Sequence, residues 1–385
     1  MTNKTSELKE TLRKLAYRQK AVSMSVCAFR KNELIFIDAF GYKDQEMYEP
    51  TTVDTIYRSA SVSKPISAMA VLILVDQGVL ELDTDISNYL GYEVRNPYYP
   101  DTPITLRHLM TYTSTLHEEG SYSPIMVGEL PPYKLSELLR RDGPGYTTDN
   151  FAKCEPGKGI AYSSFGVGIM GAIVEKVTEK RFAQYVQEAL LSPLGIRGAY
   201  DPRMLDENQV AHPYEIIEPG DNPKPYGDLI GSNPDWMKKS LAHKLELMDL
   251  PIGEAYRAPQ GNLYIVPQDL CKLLMLLTNG GVAAGKRILS ENAVQQMLTP
   301  YISDTEKGFK LGLNISLYDD FLENKLVAGF AGRAYGVLSG FFICPDEQTG
   351  VIAYSNGARS QHYAYDCPLA CVEQIKAVYD VIDSL

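Results

Sequence analysis

Ser61-Val62-Ser63-Lys64 is the first place along the chain where residue types and spacing suit covalent chemistry. One helical turn brings residues three apart onto the same face, so the Lys64 amine reaches the Ser61 hydroxyl. A serine hydroxyl is a weak nucleophile until a neighbour takes its proton, and a lysine held out of water can do that. The N–H groups of a helix start also favour negative charge developing beside Ser61. The competing reading is structural: Ser61 caps the helix and Lys64 points to solvent. The run Pro65-Ile66-Ser67-Ala68-Met69-Ala70-Val71-Leu72 opposes it, because Lys64 then opens a buried helix. Tyr162, in Tyr162-Ser163-Ser164, is the second candidate. A phenol in a short polar turn before an apolar helix can shuttle a proton if a cation lowers its pKa. The chain has 26 tyrosines, so packing or surface exposure is the plainer reading of any one of them.

Elements at both ends of the chain must hold these groups in place. A charged opening helix is followed by apolar runs at 23–29 and 34–39, which read as a β-hairpin ending at Gly41. The helix expected over 60–77 is apolar on more than one face and therefore central, and Gly78 stops it. From 100 to 249 the pattern is mainly helical, with helices at 106–110, 165–177 and 182–191. A helix at 268–277 precedes strands at 308–317, 326–331, 335–344 and 350–356, and a last helix runs over 369–382. The turn Pro345-Asp346-Glu347-Gln348-Thr349-Gly350 joins the final two strands as a hairpin. Strands at both ends with helices between them predict an α/β (α+β) fold. One antiparallel sheet is flanked by helices, with 1–99 and 255–385 forming the sheet domain and 100–254 an inserted, mainly helical domain.

Composition narrows the function. The 385 residues carry 37 Lys+Arg against 48 Asp+Glu, a net charge of −11, and 45% are hydrophobic. That is an ordinary globular balance with no basic block, which argues against nucleic acid as a partner. Six cysteines without a CxxC pair suggest free thiols in a reducing compartment. The start lacks an apolar signal core, and the most apolar helix, 66–75, is far shorter than the roughly 20 residues a membrane span needs. A cytoplasmic protein with no membrane association is expected. His108, His117, His212, His243 and His362 show no metal-ligand spacing, and the glycine clusters at 166–171 and 329–336 match no nucleotide-binding fingerprint. No metal or other cofactor is implied. Substrate selection is expected from 118–154 and from 201–254, which contains Trp236, with Tyr112, Tyr122 and Tyr264 as candidates to line an aromatic cleft or merely to pack.

An ordered set of motifs covering roughly residues 20 to 360 carries a family resemblance. It comprises AFGYKD at 39–44, IYRSASVSKPISA at 56–68, QGVLELDTDISNYL at 77–90 and ITLRHLMTYTS at 104–114. These are followed by PGKGIAYSSFGVGIMG at 156–171, SPLGI at 192–196, APQGNLYIVPQDLCKLL at 258–274, GFAGRAYG at 329–336 and IAYSNG at 352–357. The chain resembles the serine β-lactamase and penicillin-binding-protein-like superfamily, in its class C β-lactamase, D-aminopeptidase and esterase branch. The resemblance implies a β-lactamase/transpeptidase-like fold, Ser61 as the acylated serine, Lys64 as its partner and Tyr162 as the tyrosine that manages the proton. It also implies an oxyanion hole from the Ser61 N–H and a strand N–H near 337–339, with Gly332 and Ser339 among the residues that bind or modulate substrate. Two positions depart from the pattern. Ser164 stands where the family has an asparagine amide, and Phe330-Ala331-Gly332 replaces a box that opens with Lys or His. An apolar ring cannot donate to a substrate carboxylate, which counts against penicillin hydrolysis and against D-Ala-D-Ala peptidase work; Arg333, one residue beyond the box, either supplies positive charge or faces solvent. The expected activity is serine hydrolysis of a small-molecule or short peptide-like ester or amide. The alternatives are a catalytically silent binding or regulatory protein, a D-residue-selective peptidase and an acyltransferase. Oligomeric state is not legible.

Overall fold

The computed structural model describes residues 3–215, 224–225, 243–305, 308–358 and 362–385. Its centre is a nine-stranded sheet drawn from both ends of the chain. The N-terminal part supplies β1 (Ser23–Arg30), β2 (Glu33–Asp44) and β3 (Glu49–Pro50). The C-terminal part supplies β4 (Ile302–Asp304), β5 (Phe309–Leu311), β6 (Ser316–Leu322), β7 (Lys325–Ala334), β8 (Val337–Cys344) and β9 (Thr349–Asn356). Their order is β4-β5-β6-β7-β8-β9-β1-β2-β3, with antiparallel neighbours throughout. Ser23 pairs with both Asn356 and Gly41, so β1 closes the seam between the two ends of the chain.

Every residue of β8 and β9 is buried, so alternation of apolar and polar residues is lost there. That is the mark of strands covered on both faces. The helices α4 (Pro267–Thr278) and α5 (Leu369–Tyr379) pack on β9, and α1 (Asn3–Arg18) packs on α5. In α1 the stripe Leu8, Leu12 and Ala16 is buried at helical spacing, and Arg18 meets Glu373 at 2.8 Å. The 3₁₀ turn Ala60–Val62 and helix α2 (Ser63–Asp76) follow the short strand Tyr57–Arg58, which pairs with Tyr264–Ile265. All of residues 63–74 are buried, as expected of a helix apolar on every side. A second central helix, α3 (Ser164–Thr178), is buried over 165–175. Gly168 leaves room for the neighbouring chain, since a Cβ there would stand 2.4 Å from the Tyr256 carbonyl oxygen. The segment after Tyr256 is thereby seated against α3.

The fold is thus mixed α/β, with a large antiparallel sheet, flanking helices and an inserted helical region. Local boundaries differ from the sequence reading. The strand expected over 308–317 is two strands, broken around Asn314, whose φ is +52°. The helix expected over 182–191 changes to a π turn after Val186, and the last helix stops at Tyr379 before a 3₁₀ turn. Strand β7 extends to Ala334 and turns through Tyr335 and Gly336, with φ of +50° and +76°. Tyr335 therefore belongs to a hairpin turn and not to the strand, as two consecutive left-handed residues require. Trp236 lies outside the described residues. No helix among them is long and apolar enough to cross a membrane.

Candidate active site

The site forms where the 3₁₀ turn before α2 meets the turn before α3 and the end of β7. Ala60 sits at φ +48°, a left-handed conformation unusual for alanine, immediately before Ser61. Ser61 does not cap α2: its N-cap is Val62, without a side-chain cap bond, and the Ser63 hydroxyl donates to the Ala60 carbonyl at 2.6 Å. The Ser61 hydroxyl is left for other partners. Lys64 Nζ donates to Ser61 Oγ at 3.0 Å and to the Gln260 carbonyl at 2.8 Å. The Tyr162 hydroxyl donates to the same Ser61 Oγ at 2.9 Å. Lys64 also lies over the Tyr162 ring, 4.9 Å from its centroid. The sequence places Ser61 and Lys64 on one motif and Tyr162 on another, about 100 residues on, and the fold brings all three to one oxygen.

Lys64 is 1% exposed. Burial pulls its pKa down, Glu118 opposes, and the fields of Arg58 and Arg257 pull it further, to about 7 instead of 10.5. An amine at that value is a proton acceptor at neutral pH. Burial pushes the Tyr162 phenol upward, partly offset by its bond to Ser61. Tyr162 keeps 44% of its surface exposed, so solvent moderates that upward push, and the phenol stays protonated at neutral pH. Two groups of opposite protonic character therefore face the Ser61 oxygen: an amine poised to lose its charge and a phenol that holds its proton.

The remaining expected residues occupy different surroundings. Ser164 is the first residue of α3, and its backbone N–H donates to Glu118 Oε1 at 2.6 Å, while Ser163 caps the helix through Gly166. Gly332 lies against the turn that carries Ser61. A Cβ there would stand 2.7 Å from the Ser61 nitrogen and 2.6 Å from the Ser59 oxygen, so only glycine fits. Ser339 is buried one strand away on β8, and its hydroxyl holds the Ser59 carbonyl at 2.7 Å. Gly332 on β7 thus faces the Ser61 amide, and Ser339 pairs with Gly332 from the next strand. Phe330 is 8% exposed and belongs to the apolar core, outside the set of residues that lines the cavity. Arg333 lines the cavity, is exposed, and donates to the Tyr363 hydroxyl at 3.1 Å. Tyr122 also lines it, whereas Tyr112 is buried with its ring 5.0 Å from that of Tyr162, and Tyr264 is buried beside Arg58.

The cavity, about 250 Å³, opens over Ser61 and Lys64. Its walls include Glu118, Arg58, Arg257 and Tyr335, none of which the sequence reading singled out. Arg58 lies inside the quoted motif around Ser61, three residues before the nucleophile candidate. Arg257 precedes the quoted 258–274 motif by one position. Tyr335 receives a hydrogen bond from Arg257 Nη2 at 3.4 Å, and Arg58 and Lys244 approach its ring at 4.6 and 4.1 Å. Burial pushes the Tyr335 phenol up, but Arg257, Arg58 and Lys244 together outweigh it and bring it down to about 7.

Residues 8–370 match the model of a family described as Beta-lactamase. The chain belongs to the Beta-lactamase family. This superfamily is one of serine hydrolases acting on small or peptide-like substrates. Within it, the chain is 35% identical over 178 residues to Esterase EstB of Burkholderia gladioli, an alignment covering 44% of each protein. It is 26% identical over 185 residues to the D-alanyl-D-alanine-carboxypeptidase/endopeptidase AmpH of Escherichia coli, covering 47% of the chain and 46% of that protein. The matched part thus spans less than half the length of either relative. Across nearly the whole chain, the fold is similar to that of EstCE1, described as a hydrolase with promiscuous acyltransferase activity. That likeness has a TM-score of 0.71 at 20% identity, covering 98% of both chains. D-amino acid amidase from Ochrobactrum anthropi SV3 is similar at TM-score 0.70 and 18% identity, covering 98% of this Beta-lactamase family chain and 99% of the amidase.

Proposed function

We propose that this protein is a serine hydrolase that forms an acyl-enzyme at Ser61 on small-molecule or peptide-like esters or amides. The observation that carries the reading is the convergence of Lys64 Nζ and the Tyr162 hydroxyl on Ser61 Oγ. Neutral Lys64 takes the Ser61 proton as Oγ attacks the carbonyl carbon, and Tyr162 relays a proton to the leaving group. Negative charge on the carbonyl oxygen is met by the Ser61 N–H and by an N–H of β7 beyond Gly329, where the strand pairs with β8 alone among the described residues. Gly332 keeps that strand close to Ser61. Water then attacks the ester, and the same groups return the protons. The name of Esterase EstB supports the ester part of this reading, and that of the D-amino acid amidase is consistent with the amide part. We read 1–99 with 255–385 as the sheet unit and 100–254 as the insertion that roofs the cavity through Glu118 and Tyr122.

The test is intact-protein mass after exposure to a fluorophosphonate, with Ser61→Ala run in parallel. One adduct on the unmodified protein and none on the variant is the expected result. An adduct that persists in Ser61→Ala, or no adduct on the folded unmodified protein, overturns the assignment.

A further inference from the structure

Two arginines in the cavity wall are buried without, among the described residues, the ion pairs that normally accompany such burial. Arg58 is 6% exposed and Arg257 7%. Removing a guanidinium from water is costly unless its donors are matched and its charge is answered. Among the described residues, Arg58 Nε and Nη1 and Arg257 Nε have no hydrogen-bond partner, and neither arginine joins an ion pair. The carboxylate that shares the cavity with them is Glu118, and it accepts from the Ser164 N–H. The group that meets them is Tyr335, through one 3.4 Å bond and its ring face. Arg58, Arg257 and Arg333 thus line one cavity together with Ser61 and Lys64, in a protein whose net charge is −11. Such a local excess of cations is opposite in sign to the chain as a whole.

We propose that Arg58 and Arg257 form an anion-binding subsite beside Ser61, so that the preferred substrates carry a compact oxyanion, carboxylate or phosphate, on the group bearing the scissile carbonyl. The proposal rests on the Ser61 reading for the reaction, but not for the binding. Planar guanidiniums present paired donors that suit a carboxylate or phosphate. The cavity volume accommodates a short acyl chain and one such group, with its carbonyl within reach of the serine. Tyr335, which accepts from Arg257 Nη2 and turns its ring face to Arg58, lines the same cavity wall. The subsite also answers the departure at Phe330. Positive charge lost from the start of β7's family box is supplied from the strand before Ser61 and from the segment after Tyr256 that is seated on α3.

The test compares two isosteric esters, 4-nitrophenyl valerate and the 4-nitrophenyl monoester of glutaric acid, which differ by a methyl against a carboxylate. The expected result is kcat/KM higher for the charged ester by about tenfold or more, carried mainly by KM, because each tenfold is about 1.4 kcal/mol of added binding. In Arg257→Met this ratio falls towards one. Any effect of the arginine on Lys64 acts on both esters and cancels in the ratio, as does a general loss of packing. Calorimetric titration with glutarate and with inorganic phosphate, on the unmodified protein, reads the subsite without turnover and tells a carboxylate site from a phosphate site. A ratio of one or below in the unmodified protein, or failure of both anions to bind, overturns the subsite even if Ser61 is labelled. Loss of labelling with anion binding retained overturns the Ser61 reading alone.

Discussion

If Lys64 is the group that accepts the Ser61 proton, acylation must follow the fraction of Lys64 that is neutral. With its pKa at about 7, that fraction is about one tenth at pH 6 and about nine tenths at pH 8. The rate of Ser61 phosphonylation, and kcat/KM for a neutral ester, should therefore climb about tenfold from pH 6 to pH 8 and then level off. A neutral ester is the right substrate because its own charge does not change over this range. A flat profile between pH 5 and 9 refutes the assignment, and so does an acid limb that levels only above pH 10, where an ordinary lysine titrates. The same displacement has a stability counterpart of opposite sense to that of a salt-bridged lysine. The native state holds the Lys64 proton less tightly than the unfolded chain, so between about 7 and 10.5 the unfolded state binds more protons. Stability contributed by this residue then rises with pH through that window. At about 1.4 kcal/mol per unit, the penalty below pH 7 is at most about 5 kcal/mol. Lys64→Met removes it but leaves the Gln260 carbonyl unpaired at a cost of about 1–3 kcal/mol. Urea midpoints should show the variant more stable than the parent at pH 6 and less stable near pH 10.5. The absence of that crossover would mean that Lys64 is not held against its charge.

Three substitutions probe the surrounding structure. Tyr162→Phe removes the 2.9 Å bond to Ser61 from a residue that is 44% exposed, so kcat should drop by about 10²–10⁴ while thermal unfolding barely moves. Gly332→Ala sets a methyl 2.7 Å from the Ser61 nitrogen; it should slow phosphonylation and cost about 1–3 kcal/mol in urea unfolding. Phe330→Ala opens a void in the core and should cost about 3–5 kcal/mol, leaving the ratio of kcat/KM between two esters unchanged. A shift in that ratio would place Phe330 against the substrate.

What the sequence disclosed divides according to the range of the contacts involved. Ser61 and Lys64 are one helical turn apart, so their meeting was legible from spacing, and the buried run after Pro65 told which way Lys64 faces. The two-ended sheet was legible because apolar runs recur at both ends with helical periods between. Tyr162 was reached only through the motif around it, since nothing local distinguishes it from 25 other tyrosines. Arg58, Arg257, Glu118 and Tyr335 were not found. Their proximity is made by the pairing of Tyr57–Arg58 with Tyr264–Ile265, by the seating of the segment after Tyr256 on α3, and by a hairpin at Tyr335–Gly336. The hairpin was hidden because tyrosine favours strands, and the left-handed pair overrides that preference. Phe330 is singled out by its place in the box alone, and only the packing of β7 shows its ring in the apolar core.

The electrostatics of the cavity tie the proposed chemistry to the proposed selectivity. A base of pKa about 7 beside a serine needs desolvation or neighbouring positive charge, and Arg58 and Arg257 supply the second. The same charges favour the oxyanion that forms as Ser61 attacks, and they favour a substrate anion. Glu118 works in the other direction on Lys64, favouring its protonated form. Replacing Arg257 by methionine should therefore have two separable effects. The acid limb for the neutral ester moves to higher pH because Lys64 regains basicity, and the preference for the charged ester falls at every pH. A selectivity change without movement of the limb would mean that Arg257 meets the substrate but exerts no field on Lys64. Movement without a selectivity change would mean that its charge serves the base alone.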